Sequence, residues 1–362
     1  MLSARKQVFA AIAAAAMLLV ANAPARAQAG GQTGPPPSPG KWGRMAPLPE
    51  KSEEFTFGDV NGRIYLFGGL PVNGKPPLGL VQEYDPATNT WAKKKNMPLA
   101  THHAAIAAYD GKLYLFGGQA QLEPGGPTQI PINNTWEYDP ANDSWKALAP
   151  MPTARTAAVA ATVDGKIYVI GGASVHPGQK IVSLGPTVPH RSLDTNEVYD
   201  PKTNTWATKM TMPTARNHAA AGVVNGKIYV IGGRVGSSVI TTSSNTNVVE
   251  VYDPAKDLWG AAGLRMPTSR SGMGWATYEG KIYVVGGQMY DREVFGAIRA
   301  VEAYDPATNT WSFLPNMFTA RHGVNVAIIG DKLYVIGGHV QAAGTGGEAA
   351  NTDANEVYEF EK

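Results

Sequence analysis

The sequence predicts an all-β protein built from six copies of one four-stranded sheet, and three recurring landmarks predict it. The first is an octet: "GRIYLFGG" at 62–69, "GKLYLFGG" at 111–118, "GKIYVIGG" at 165–172 and again at 226–233, "GKIYVVGG" at 280–287 and "DKLYVIGG" at 331–338. The second is a Tyr followed seven residues later by a Trp, at Tyr84/Trp91, Tyr138/Trp145, Tyr199/Trp206, Tyr252/Trp259 and Tyr304/Trp311. The third is a Met-Pro after most of the Trp residues, at 97–98, 151–152, 212–213 and 266–267. Self-similarity at a near-constant period marks a repeat architecture and governs how each residue is read.

Each element of the repeat follows from its residues. Strand a is a stretch of small apolar residues such as "HAAAGVV" at 218–224. A short Asn-Gly or Asp-Gly turn joins it to strand b, the octet, which is apolar on both faces and so must be buried on both. Strand c ends at the Tyr. Asp-Pro then sets a turn through the fixed proline φ and the capping Asp, and an Asn or Asp just before the Trp tolerates the left-handed region where strand d begins. One sheet with two apolar faces cannot stand alone, but six packed face to face around an axis can, which is a β-propeller. The sixth repeat ends at "NEVYEFEK" with no Trp after Tyr358, whereas "WGRMAPLP" at 42–49 has a Trp with Met and Pro nearby. The last blade is therefore expected to be closed by the N-terminal strand, leaving no open seam.

Gly-Gly closing strand b, Tyr on strand c and Trp on strand d resemble the Kelch repeat over residues 41–362. The resemblance implies a six-bladed Kelch-type β-propeller. It also implies a family of protein-binding modules, galactose-oxidase-like copper enzymes and a sialic acid epimerase that is an exported bacterial propeller. The copper chemistry relies on a cysteine cross-linked to a tyrosine, and this chain has no cysteine. The same absence excludes disulfides, thiolate metal sites and thiol catalysis.

The N-terminal segment reads differently. Arg5 and Lys6, an apolar run at 8–21 and the small-residue site Ala25-Arg26-Ala27 make residues 1–27 a secretory signal peptide. The run is shorter than the roughly 20 residues of a membrane span. Residues 28–40, rich in Gly, Pro and Gln, read as a flexible linker before the propeller at 41–362. Removing 1–27 takes away Arg5, Lys6 and Arg26, which turns a formal +2 into −1. A near-neutral exported chain without basic runs argues against a nucleic-acid partner. The expectation is a periplasmic or secreted protein with no membrane span, a monomer, with no cofactor and no metal, since no His or carboxylate spacing spells a metal motif.

Function is expected on one face. The a–b turns are short and the Tyr-to-Trp spacing never varies, but the second Gly lies 15, 20, 27, 19, 17 and 20 residues before the strand-c Tyr. Variable loops on a rigid frame are the usual place for binding. All seven histidines fall on that face: His102, His103, His218 and His322 at starts of strand a, and His176, His190 and His339 in b–c loops. Two readings stand: a shared polar mouth, with a His metal site as its minor variant, or, as the resemblance implies, strand-a histidines that pack the turn. The residues expected to bind ligand are His103, Gln119, His218, Arg234, Gln288, His322 and His339, with the loop at 173–196 partly covering them. Arg155, Arg216, Arg270 and Arg321 could ring the mouth as an anion trap. Blades with such an Arg also carry Glu197, Glu250, Glu302 or Glu356, and blades 1 and 2 lack both, so the arginines are expected to reach across Gly-Gly to those glutamates.

The function these features imply is a module that binds a protein or carbohydrate through its variable-loop face. The alternative is a sugar-processing enzyme resembling N-acetylneuraminate epimerase; no nucleophile–base pair can be read from spacing, because a propeller assembles its site from different blades. N-terminal sequencing of the exported chain is expected to start at Gln28, and an exported chain that retains residues 1–27 would overturn the signal-peptide assignment.

Overall fold

The computed structural model describes residues 40–71, 75–178, 190–236, 244–290, 295–342 and 350–361, so the segment 1–27 read as a signal peptide and nearly all of the segment 28–40 read as a linker lie outside the described residues. Six four-stranded antiparallel sheets follow one plan. In blade 3, strand a is Val159–Val163, strand b Lys166–Ile170, strand c Asn196–Asp200 and strand d Thr205–Thr208, hydrogen-bonded in that order. In each of the six b strands every residue after the first is buried, as expected for a strand sandwiched on both faces. The a–b turn residues Asn61-Gly62, Asp110-Gly111, Asp164-Gly165, Asn225-Gly226 and Glu279-Gly280 all have φ between 47° and 75°, the geometry of a two-residue type I′ hairpin.

The N-terminal strand closes the ring. Lys41–Arg44 pairs antiparallel with Asn355–Glu359 and places Trp42 opposite Tyr358, their rings 5.3 Å apart. One detail differs from expectation: Leu48, not Met45, takes the repeat's methionine position. A Cβ on the first glycine of blades 2 to 5 would meet the terminal methyl of Met151, Met212, Met266 or Met317 on the following blade; on Gly337 it would meet Leu48 Cδ2 at 3.4 Å.

Blade-to-blade contacts repeat with the sequence. Each strand-d Trp donates its indole N–H to a main-chain carbonyl of the preceding blade: Trp91 to Ala46, Trp145 to Lys95, Trp206 to Ala149, Trp259 to Met210, Trp311 to Leu264 and Trp42 to Pro315, at 2.8–3.1 Å. The Asn or Asp of the c–d turn joins the same contact. Asn89, Asp143, Asn204, Asp257 and Asn309 sit at φ of 45–55° and accept from the Tyr hydroxyl of their own blade. They also accept from the main-chain N–H of Ala46, Lys95, Ala149, Met210 and Leu264. Blade 6 has no c–d turn, because its strands c and d come from opposite ends of the chain, and so it has no such acceptor. The residue facing that gap is Pro315, which has no N–H to leave unsatisfied.

Gly-Gly is a joint between backbones. The second glycine's N–H donates to the next blade's carbonyl in five blades: Gly69 to Thr101, Gly118 to Arg155, Gly172 to Arg216, Gly233 to Arg270 and Gly287 to Arg321. A Cβ on the first glycine would lie 1.8 Å from Thr101 O at Gly68 and 2.3 Å from Arg155 O at Gly117, and both glycines hold positive φ. The missing side chains let the next blade's main chain approach, and in blade 6 the Arg321 guanidinium also donates to Gly337 O of its own blade at 2.9 Å, as the groove reading expects.

The a strands surround a central channel of about 490 Å³. Phe57 of blade 1 and Trp275 of blade 5 meet edge to face at 6.1 Å and narrow it. Truncation to a chain starting at Glu50 removes the outer strand of blade 6 and is expected to lower the melting temperature of the whole propeller. Trp42→Ala alone is expected to cost about 2–3 kcal/mol, less than a fully buried Trp, because Trp42 is only half-buried. Thermal denaturation of the truncated and full-length chains checks this, and equal melting temperatures would refute closure.

Candidate functional site

Strand a begins at the loop face, and the residues just before it form the neck of the channel. Six equivalent residues, Glu54, His103, Ala157, His218, Gly272 and Gly323, all adopt the left-handed conformation, with φ from 51° to 62°. Their main chains link blade to blade: His103 N–H donates to Glu54 O, Ala157 to His103, His218 to Ala157, Gly272 to His218 and Gly323 to Gly272, at 2.9–3.2 Å. Each non-glycine residue in this region costs of order 1 kcal/mol, so the closed ring holds four of them in a conformation they would otherwise avoid.

This belt brings Glu54, His103 and His218 together from blades 1, 2 and 4, their ligand atoms all within 4.8 Å of one another. His103 Nε2 is 3.3 Å from Glu54 Oε2, the rings of His103 and His218 are 5.0 Å apart, and all three residues line the channel. A second set, Glu53, His322 and His339, is packed behind the first and fully buried. His322 Nε2 lies 3.6 Å from both Glu53 Oε2 and Glu54 Oε1. Neighbours fix the imidazoles. Asn217 Nδ2 donates to Ser192 Oγ at 2.9 Å, leaving its Oδ1 to accept from His218 Nδ1–H at 2.5 Å. The Nδ1 atoms of His102 and His103 face each other, so one carries the proton and donates.

Burial sets the charges. It pushes the His102 and His218 imidazoles well below the usual range and His322 down to about 4, so these three are neutral at pH 7. Burial, then the neighbouring Glu54, raises Glu53 to about 8, so the Glu53–His322 contact is between neutral groups. Burial also opposes ionisation of Glu54, but His103, then His322 and His218, outweigh it and hold that carboxyl well below its usual value. The neck thus sets the Glu54 carboxylate beside the His103 and His218 imidazoles.

Of the residues singled out from sequence, His103 and His218 line the channel. Gln119, Arg234, Gln288, His322 and His339 are at most 7% exposed. Each residue after Gly-Gly pairs its main chain with the start of strand a: Gln119 with His102, Arg234 with Asn217, Gln288 with Ser271, His339 with His322. Arg234 Nε also donates to Ser271 Oγ at 3.1 Å, tying blade 4 to blade 5. These five form the wall behind the neck. Of the loop expected to cover the mouth, residues 179–189 lie outside the described residues; its ends form a short ribbon, Ala173–Ser174 with Arg191–Ser192. Similar ribbons rise from blades 2, 4 and 5. Glu53 and Glu54 were missed. The signal was available: "SEEF" at 52–55 occupies the repeat position of "THHA" at 101–104 and "RNHA" at 216–219.

The arginines do not form an anion trap. Arg155, Arg216, Arg270 and Arg321 are fully buried and meet Glu197, Glu250, Glu302 and Glu356 of their own blades at 2.8–3.3 Å. Three of the glutamates accept a second bond from Thr153, Thr214 or Thr268, and Glu356 accepts one from the Phe318 N–H.

Comparison with known proteins agrees with this architecture. The model of the KLHDC2/KLHL20/DRC7 Kelch-repeats domain matches residues 40–207 and 150–338. The Kelch-like protein terF of Aspergillus terreus is 30% identical over 85% of this chain and 67% of its own length. Kelch-like protein 25 of Xenopus tropicalis is 28% identical over 57% of this chain, and β-scruin of Limulus polyphemus 29% over 66%. The matched regions span only 32% and 25% of those two animal proteins. The chain belongs to the Kelch-repeat family and is a six-bladed β-propeller of that class. Among the described residues no helix is long and apolar enough to cross a membrane.

Breaking one buried pair tests the structural role of the arginines. Arg270→Met is expected to cost about 3–5 kcal/mol by stranding Glu302, and Arg270→Met with Glu302→Leu less than the sum of the single changes. Chemical denaturation measures both, and strictly additive losses would mean the two side chains are not coupled.

Proposed function

We propose that the protein is an exported, monomeric binding module whose loop-face mouth grips a protein or carbohydrate ligand. The observation that carries this reading is the neck itself. Strained residues of three blades present a carboxylate and two imidazoles into the channel, at the foot of ribbons that differ from blade to blade. The opposite face offers near-identical hairpins, which give a ligand little to distinguish. A volume of about 490 Å³ falls within the roughly 300–1,000 Å³ usual for ligand sites, enough for a sugar or a peptide side chain. Membership of the Kelch-repeat family supports a protein ligand, and the signal peptide read at 1–27 supports export to the periplasm or beyond. The sugar-processing alternative has no observation among the described residues in its favour.

Screening the mature chain against glycan arrays that include sialic acids, and against peptide arrays, identifies the ligand class. His103→Ala and His218→Ala are each expected to weaken binding by about tenfold or more, near 1.4 kcal/mol, while the melting temperature stays close to that of the parent. Unchanged affinity in both variants, or a ligand that maps to the Tyr–Trp hairpin face, would overturn the reading.

A further inference from the structure

We propose that Glu54, His103 and His218 form a binding site for a divalent first-row transition metal ion of the zinc type at the neck of the channel. Two imidazoles and a carboxylate are a donor set that suits such ions, with the remaining positions left to water or ligand. The separation fits: ligands about 2.1 Å from a tetrahedral ion lie about 3.4 Å apart. His103 Nε2 and Glu54 Oε2 are 3.3 Å apart, and the third ligand atom lies within 4.8 Å of both.

The surroundings are those of a ligand set held ready. Metal-binding histidines usually engage their second nitrogen in a hydrogen bond that fixes ring and tautomer. His218 does so through Nδ1–H to Asn217 Oδ1, itself oriented by Ser192, which leaves the Nε2 lone pair free of a proton. His103 turns Nδ1 to His102 and Nε2 to Glu54. The backbone belt sets the three side chains on neighbouring positions of one rigid ring, so little ordering remains to be done on binding. The three residues also line the open channel, so an ion has an entry path and vacant positions facing it. The other candidate group, Glu53 with His322 and His339, is fully buried and offers no such path.

The site is independent of the identity of any protein or carbohydrate ligand, and the metal alone tests it. The full-length chain, stripped with chelator, is titrated with Zn²⁺ by calorimetry and with Co²⁺ by visible absorption. One site per chain with an affinity tighter than about 10 μM is expected, with Co²⁺ bands typical of nitrogen and oxygen donors. Binding should fall at least about 100-fold in His218→Ala and Glu54→Gln, and about tenfold in Asn217→Ala, which keeps all three ligands but frees the His218 ring. His339→Ala, in the buried set, should leave it within about twofold. Circular dichroism and melting show that each variant is folded; Asn217→Ala tests the site even if a ligand variant does not fold. Affinity weaker than about 1 mM, or loss in His339→Ala without loss in His218→Ala, would overturn the proposal.

Discussion

How closely one blade's backbone can approach the next decides almost everything else in this molecule. The paired glycines set that distance. A methyl group at Gly68 or Gly117 would occupy space already filled by the carbonyl of Thr101 or Arg155. With the gap closed, the second glycine donates its N–H to that same carbonyl, and the strand-a starts of adjacent blades come near enough for their own main chains to bond. The belt at the neck is a consequence of that approach. Substituting the glycines would disturb the joint and the site together, because they share one set of backbone atoms.

The outer rim solves a different problem with the same economy. The Tyr hydroxyl, the Oδ1 of the Asn or Asp in the c–d turn and the indole N–H of the next Trp each have a partner at five of the six joints. The sixth joint lacks the turn, and it carries Pro315 where the others carry a residue with an N–H to satisfy. The Tyr358 hydroxyl, which lacks the Asn or Asp acceptor of the other blades, itself accepts from the Gly40 N–H at 2.8 Å. Where the repeat is interrupted, Trp42 still donates its indole N–H to Pro315 O, and the proline leaves no N–H without a partner. The buried Arg–Glu pairs serve within blades rather than between them. Their value lies in not stranding a charge, since buried pairs add little net stability over apolar residues of the same size.

The neck shows how a repeat can hold a site. Its six residues occupy equivalent backbone positions with one shared conformation, yet their side chains are Glu, His, Ala, His, Gly and Gly. All six accept positive φ, and five of them, all but Glu54, donate their N–H to the blade before. Glycine does so without strain, and the others are kept there by blades on either side. Chemical variety is thereby confined to a ring that opens on the channel, and a set of ligands can be drawn from blades far apart in sequence.

The sequence by itself determined the number of blades, the four strands in each, the N-terminal closure and the partners of the four buried arginines. These depend on local periodicity and on residues that vary together from repeat to repeat, such as Arg270 with Glu302. It placed His103 and His218 at the mouth, because repeat position maps directly onto height along the axis. It did not separate residues that line the channel from those behind it: Arg234 and His339 follow the His103 position by sixteen residues in their repeats, reach the same end of the blade, and are turned into the wall by pairing with the start of strand a. Nor did it bring Glu54 to His103 and His218, because they lie 49 and 164 residues away along the chain. Only the closed ring makes them neighbours, and the physical reason is circular packing: contact across the axis is set by blade geometry, for which spacing along the chain carries no signal.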